Sequence, residues 1–130
     1  MKIISKLICE NAFHSKESNN LNVIGIFEEI YASKFPASHP KISFVVIAEG
    51  GPGEKFDYQM RIADPTGKVI FDSSDKPMNS AIGPNGRVHV IFNIINLPLS
   101  MAGSYTATIH TGDTSEDLKF GVRTAPVGSA

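Results

Sequence analysis

Apolar and polar residues alternate one for one through much of the chain. In "KFDYQMRI" Phe56, Tyr58, Met60 and Ile62 share one face, and Lys55, Asp57, Gln59 and Arg61 share the other. "RVHVIFNII" aligns Val88, Val90, Phe92 and Ile94, "SYTATIH" aligns Tyr105, Ala107 and Ile109, and "DLKFGV" aligns Leu118, Phe120 and Val122. In extended backbone successive side chains point to opposite faces, so each run predicts a half-buried antiparallel strand. Three earlier segments, 2–10, 21–32 and 41–48, are apolar on both faces or nearly so. The run "ISFVVIA" is too short for a helix and rich in β-branched residues, which predicts a central strand. No dozen residues sustain helical spacing, and 11 glycines and 8 prolines break the chain. Turn chemistry falls between the segments, at "GGPG" (50–53), "DPTG" (64–67), "GPNG" (83–86) and "TGDTSE" (111–116). About eight short strands so separated predict an all-β fold, an antiparallel two-sheet sandwich, with one domain over 1–123 and a loose tail over 124–130.

The stretch "LPLSMAGSYTA" (97–107) selects among sandwiches. An apolar residue, a glycine two before a tyrosine and a small residue two after it resemble the tyrosine corner of immunoglobulin-like domains. Leu97 would close one strand, Gly103 would make the turn, and Tyr105 would open the next strand and bond back to the turn. Ala107 stands where antibody domains carry their second cysteine. The resemblance is one of architecture, because the chain has no Trp and a single Cys. It places 87–97 and 103–111 in opposite sheets, which keeps His89 and His110 apart. It also requires 87–97 to run antiparallel to 21–32, so the residues 74–86 must cross the sandwich as a long connection.

"FPASHP" (35–40) sets a histidine between two prolines. Each proline forces the residue before it, Phe35 and His39, into extended backbone and removes a donor. The expected role of Pro36 and Pro40 is a rigid corner, with Phe35 plugging an open end of the core.

The longer run "NVIGIFEEIYASKFPASHPKISFVV" (22–46), after a first strand containing "LICENA", resembles an uncharacterised family of small bacterial β-sandwich proteins. The shared features are an N-x-x-G-x-F motif, here Asn22, Gly25 and Phe27, and an F-P-x-x-H-P motif, here Phe35–Pro40. The resemblance implies a fold, with Gly25 as a structural position, and no activity.

Composition narrows the function classes. Twelve basic residues face thirteen acidic ones with no basic stripe, which argues against nucleic acid as a partner. No run reaches the roughly 20 apolar residues that span a bilayer, and Ser5, Lys6 and Glu10 interrupt the first apolar stretch too early for a signal peptide. Cys9 has no intrachain partner and falls in phase with Ile3 and Leu7, so a buried thiol in a cytoplasmic protein is expected.

Candidate chemistry is sparse. A copper site of the cupredoxin kind needs Cys, His and Met together near the last strands, and Cys9 lies in the first. His14, His39, His89 and His110 show no zinc spacing, and there is neither a phosphate-binding glycine loop nor a nucleophile elbow. Asp72 with Asp75, or Asp113 with Glu116 and Asp117, could ligate calcium, although Asp also solvates loop tips. The absence of Trp disfavours a sugar cleft. The leading expectation is therefore a non-enzymatic interaction or scaffold module that needs no cofactor, with a protein partner or a second copy of itself. The alternative is a domain binding a small ligand or metal ion where loops 34–40 and 111–116 meet, through Phe35, His39, Asp113 and Glu116.

Overall fold

A computed structural model describes residues 1–125. Ten strands follow one another: β1 (Lys2–His14), β2 (Leu21–Ile26), β3 (Glu29–Ala32), β4 (Ala37–Glu49), β5 (Lys55–Ala63), β6 (Val69–Asp72), β7 (Met78–Ala81), β8 (Arg87–Leu99), β9 (Gly103–Thr111) and β10 (Thr114–Thr124). They form two sheets, a four-stranded one in the order β2-β1-β4-β8 and a six-stranded one in the order β3-β10-β9-β5-β6, with β7 also on β5. All pairings are antiparallel except β3 with β10. Among the described residues no helix is long and apolar enough to cross a membrane.

The core lies between the sheets and is made of the residues that the alternation singles out. Ile42, Phe44, Val46, Val90, Phe92 and Ile94 face Met60, Ile62, Tyr105, Ala107, Ile109, Phe120 and Val122. Aromatic rings lock the two layers: Phe44 meets Phe120 edge-on at 6.0 Å, and Tyr58 meets Phe92 edge-on at 5.5 Å. Such pairs add roughly 0.5–1.5 kcal/mol each beyond the area they bury.

The corner expected at Tyr105 has its hydrogen bond. β8 and β9 lie in different sheets, and the buried Tyr105 hydroxyl donates to the Met101 carbonyl at 2.7 Å. Gly103 turns the chain at φ +141°, with Pro65 Cγ only 2.6 Å from where a Cβ would sit.

Four expectations need correction. The segment 21–32 is not one strand: β2 joins the four-stranded sheet and β3 the six-stranded one, so the described residues hold ten strands, not about eight. Residues 74–86 are not a free crossing, because β7 inside them continues along the same strand, β5, that β6 pairs with. The neighbour of β8 is β4, from Ala37 opposite Leu99 to Glu49 opposite Arg87, not segment 21–32. The last strand runs through Thr124, and the Ala125 amide bonds the Ala32 carbonyl, so residues 124 and 125 are not part of a loose tail; residues 126–130 of the expected tail lie outside the described residues.

The least expected element is the β1–β2 hairpin. β1 pairs with β4 only as far as Cys9 opposite Ser43, then leaves the sheet. Its remainder and β2 fold over the outer face of β4 and β8, where Cys9, Ala12, Leu21 and Val23 pack on Val45 and Ile91. A register shift between Ile3 and Ser5 moves Cys9 out of phase with Ile3, so the thiol is buried as expected but in this second cluster. Gly25, at φ +69°, marks the bend, and the Glu10 carboxyl group occupies the space 2.7 Å from where its Cβ would be. Left-handed backbone costs an L residue roughly 1–2 kcal/mol, which favours glycine here. Asn22 secures the far end through Ser15 Oγ at 2.6 Å, and Phe27 packs on the main core. Each member of the N-x-x-G-x-F motif thus has a structural task in this flap.

Candidate functional site

The sequence-derived candidates fall at two ends of the sandwich. Phe35–Pro40 leads into β4 beside Leu99, at the end where β9 begins. Here a hollow of about 400 Å³ is lined by Tyr31, Pro36, His39 and Leu99 among others. The Phe35–Pro36 peptide is cis. Phe35 is half-buried against the core, so the expected plug exists but is partial. Pro40 is exposed, and His39 is half-buried with its ring 6.0 Å from that of Phe27. Burial pushes the His39 imidazole below its ordinary value, opposed by a backbone bond at Lys41 and the charge of Glu10.

Asp113 and Glu116 sit at the other end. Thr114 Oγ1 donates to the Met1 carbonyl, and the neighbouring pairs Lys2–Glu49 and Glu49–Arg87 belong to the opposite extremity of β4. The structure therefore does not bring Phe35 and His39 together with Asp113 and Glu116, and no site spans those loops. The cause is the crossing expected over 74–86. β7 stays beside β5 instead, so β8 starts at the Glu49 end of β4 and β9 returns to that end, which puts 111–113 away from 34–40. The loop that does share an end with 111–113 is 50–54, and a cleft of about 1000 Å³ there is lined by Met1, Glu54, Phe56, Asp57, Gly112 and Asp113 among others.

The acidic candidates are separated further by strand geometry. Glu116 is held by Lys6 Nζ at 3.0 Å, while Asp117, on the other face of β10, accepts a hydrogen bond from Thr108 Oγ1 at 2.8 Å. Asp72 accepts from the Ser74 amide, and its carboxyl is held below the usual range by Ser74 and, less, by Arg61. Among the described residues no three of His, Cys, Asp and Glu converge on a point that could hold a metal ion.

Two polar arrangements escaped the sequence reading. The flap carries His14 onto the strand residue His89, with ring planes 11° apart and Nε2 to Nδ1 at 3.1 Å, so that one ring donates and the other accepts. Burial, then His14 and Arg87, push His89 below its ordinary value. No local spacing signals this pair, which exists only because the hairpin folds back. On the other sheet Arg123 Nε donates to Glu29 at 2.7 Å and Tyr31 donates to the same carboxylate at 2.9 Å, tying β3 to β10. That carboxyl is lowered chiefly by Arg123.

Exposed apolar side chains lie on both sheets, with Tyr31, Val69 and Met78 on the short strands β3, β6 and β7 of the six-stranded one. Ile24 and Ile26 on β2 are 50% and 60% exposed, and Ile95 on β8 is 61% exposed. All three belong to the four-stranded sheet and its flap.

Fold and surface together define an all-β two-sheet sandwich without an assembled metal cluster among the described residues. Residues 5–122 match the model of a family described as "Family of unknown function (DUF6941)", and the chain belongs to that family. No curated protein matches it. Solved structures with similar stretches include the Pseudomonas fluorescens alkylpurine DNA glycosylase AlkC bound to DNA, at 14% identity and a TM-score of 0.45, covering 91% of this chain and 30% of that one. A β-glucosidase from Listeria innocua in complex with glucose aligns at 13% identity and a TM-score of 0.48, covering 74% of this chain and 15% of that one. The chain thus spans less than a third of these larger proteins.

Proposed function

We propose that the domain is a non-enzymatic protein-interaction module of immunoglobulin-like arrangement, which engages its partner through the four-stranded sheet and its flap. One observation carries the reading: Ile24, Ile26 and Ile95 are at least half exposed on that side. Single exposed aliphatics are ordinary, but five exposed apolar residues on one sheet and its flap, these three with Ile4 and Phe13, favour a surface that is covered part of the time. The opposite sheet presents Gln59, Arg61, Thr106, Thr108, Asp117 and Lys119 outward on its central strands, a polar face suited to water, and its exposed Tyr31, Val69 and Met78 lie apart on short outer strands. The near-balanced charge favours a protein over nucleic acid. A single buried thiol suits the cytoplasm.

A photo-crosslinking residue placed singly at Ile26, Ile95 or Lys119 tests this in cells. Discrete protein adducts from the first two positions and none from Lys119 are the expected pattern. Adducts only from Lys119, or from no position, would defeat the proposal.

A further inference from the structure

We infer that the open edge of β8 is a self-association surface, on which a second copy of the chain pairs antiparallel about a twofold axis at Asn93. The inference rests on the interaction reading and names its partner. β8 has 13 residues and, among the described residues, bonds to no strand but β4. The other edges are short: β2 has six residues, and β3, β6 and β7 have four each. An unpaired edge invites another strand, and proteins blunt such edges by shortness, charge, proline or bulges. β8 is long, and from Val88 to Leu99 it contains no Asp, Glu, Lys or Arg. Its irregularities, Asn96 at φ 54° and Pro98, come only near the end. The flap covers the outer face at His89 and Ile91, but Asn93, Ile95 and Asn96 remain exposed.

Self-pairing fits this strand for a chemical reason. An antiparallel register centred on Asn93 sets Ile95 of each copy beside Ile91 of the other, and Arg87 beside Leu99. No two like charges meet, and the exposed Ile95 gains an apolar cross-strand neighbour. The contact is isologous, so it closes at two copies and removes both open edges at once.

Sedimentation velocity over a concentration series, with Asn93→Lys and Asn93→Glu alone and mixed, tests the inference. On the axis each substitution opposes a charge to its own copy. Wild type should dimerise, each variant should dissociate at least about tenfold more readily, and the equimolar mixture should recover the dimer. Asn93 bonds Ser43 Oγ at 2.7 Å, so thermal melts must show the variants folded. If they are not, Ile95→Lys, at a 61% exposed position, replaces them and should be monomeric. A monomeric wild type, or a dimer that survives these substitutions, overturns the inference. Crosslinking of Ile26 or Ile95 to a different protein would still stand in that case, which separates this failure from failure of the interaction reading.

Discussion

Replacing Tyr105 with phenylalanine removes one oxygen from a fully buried side chain and changes little else. The ring stays stacked on Phe120, whose centroid is 5.5 Å away. Lost are the 2.7 Å bond to the Met101 carbonyl and the longer 3.4 Å approach of the Met101 amide. A hydrogen bond contributes about 0.5–1.5 kcal/mol net, and stranding a buried partner costs about 1–3 kcal/mol. Met101 is only half-buried, so water can reach its carbonyl once the hydroxyl is gone. The expected loss is therefore about 1–2 kcal/mol, or about 3–10 °C in Tm for a domain of this size. Urea titration followed by two probes measures it, with the slope unchanged if only the native state is weakened. A loss within about 0.3 kcal/mol would refute the claim that this bond holds the β8–β9 corner. A loss above about 4 kcal/mol would instead show that the ring is displaced, against the packing described here.

The flap gives a second prediction: Gly25→Ala should cost about 1–2 kcal/mol for left-handed backbone, plus the displacement of Glu10, and Glu10→Ala in the same chain should restore only the second part in a denaturation cycle. Stability should also fall on acidification, because burial lowers both His39 and His89 in the folded state relative to their ordinary 6.5. Depressed histidines contribute stability that is complete above about pH 6.5 and lost as pH falls through the folded values, so His39→Gln and His89→Gln should each flatten a plot of Tm against pH between neutrality and pH 5. Burial raises the Cys9 thiol and encloses it beneath the flap, so native protein should react with a thiol reagent far more slowly than denatured protein. Rapid native labelling would show that the flap does not stay closed.

Most of the layer structure was legible in the sequence. Alternation at Phe56–Ile62, Val88–Ile94, Tyr105–Ile109 and Leu118–Val122 identified inward residues correctly, because a sheet with one wet face imposes a period of two. Alternation cannot say what covers a second apolar face. Val45 faces away from the main core, and its apolar character was read as that of a central strand; the cover is the flap, built from residues 9–26. The break at Phe27 and Glu28 also left no periodic signal, since β2 and β3 are individually too short to establish a phase. The crossing expected over 74–86, which is needed only if 21–32 is a single strand, reversed β8 and β9 and so misplaced loop 111–116 relative to Phe35 and His39. The candidate site suffered more than the fold because loops inherit their position from strand direction, and one wrong connection reverses it.

The parallel contact between β3 and β10 joins residues 29–32 to residues 121–124, far apart along the chain. Lys6 and Glu116 make a second such link, 110 residues apart. Closing loops this long carries an entropic cost that no local contact offsets beforehand, and folds dominated by such contacts reach the native state in milliseconds to seconds, slower than helical bundles. On a ribosome the order is harsher still. β4, apolar on both faces, leaves the exit tunnel long before β9 and β10 exist to cover its sheet. Until the last strands arrive, the core face of β4 stays bare, and exposed apolar surface of that kind makes a chain prone to aggregate during the interval.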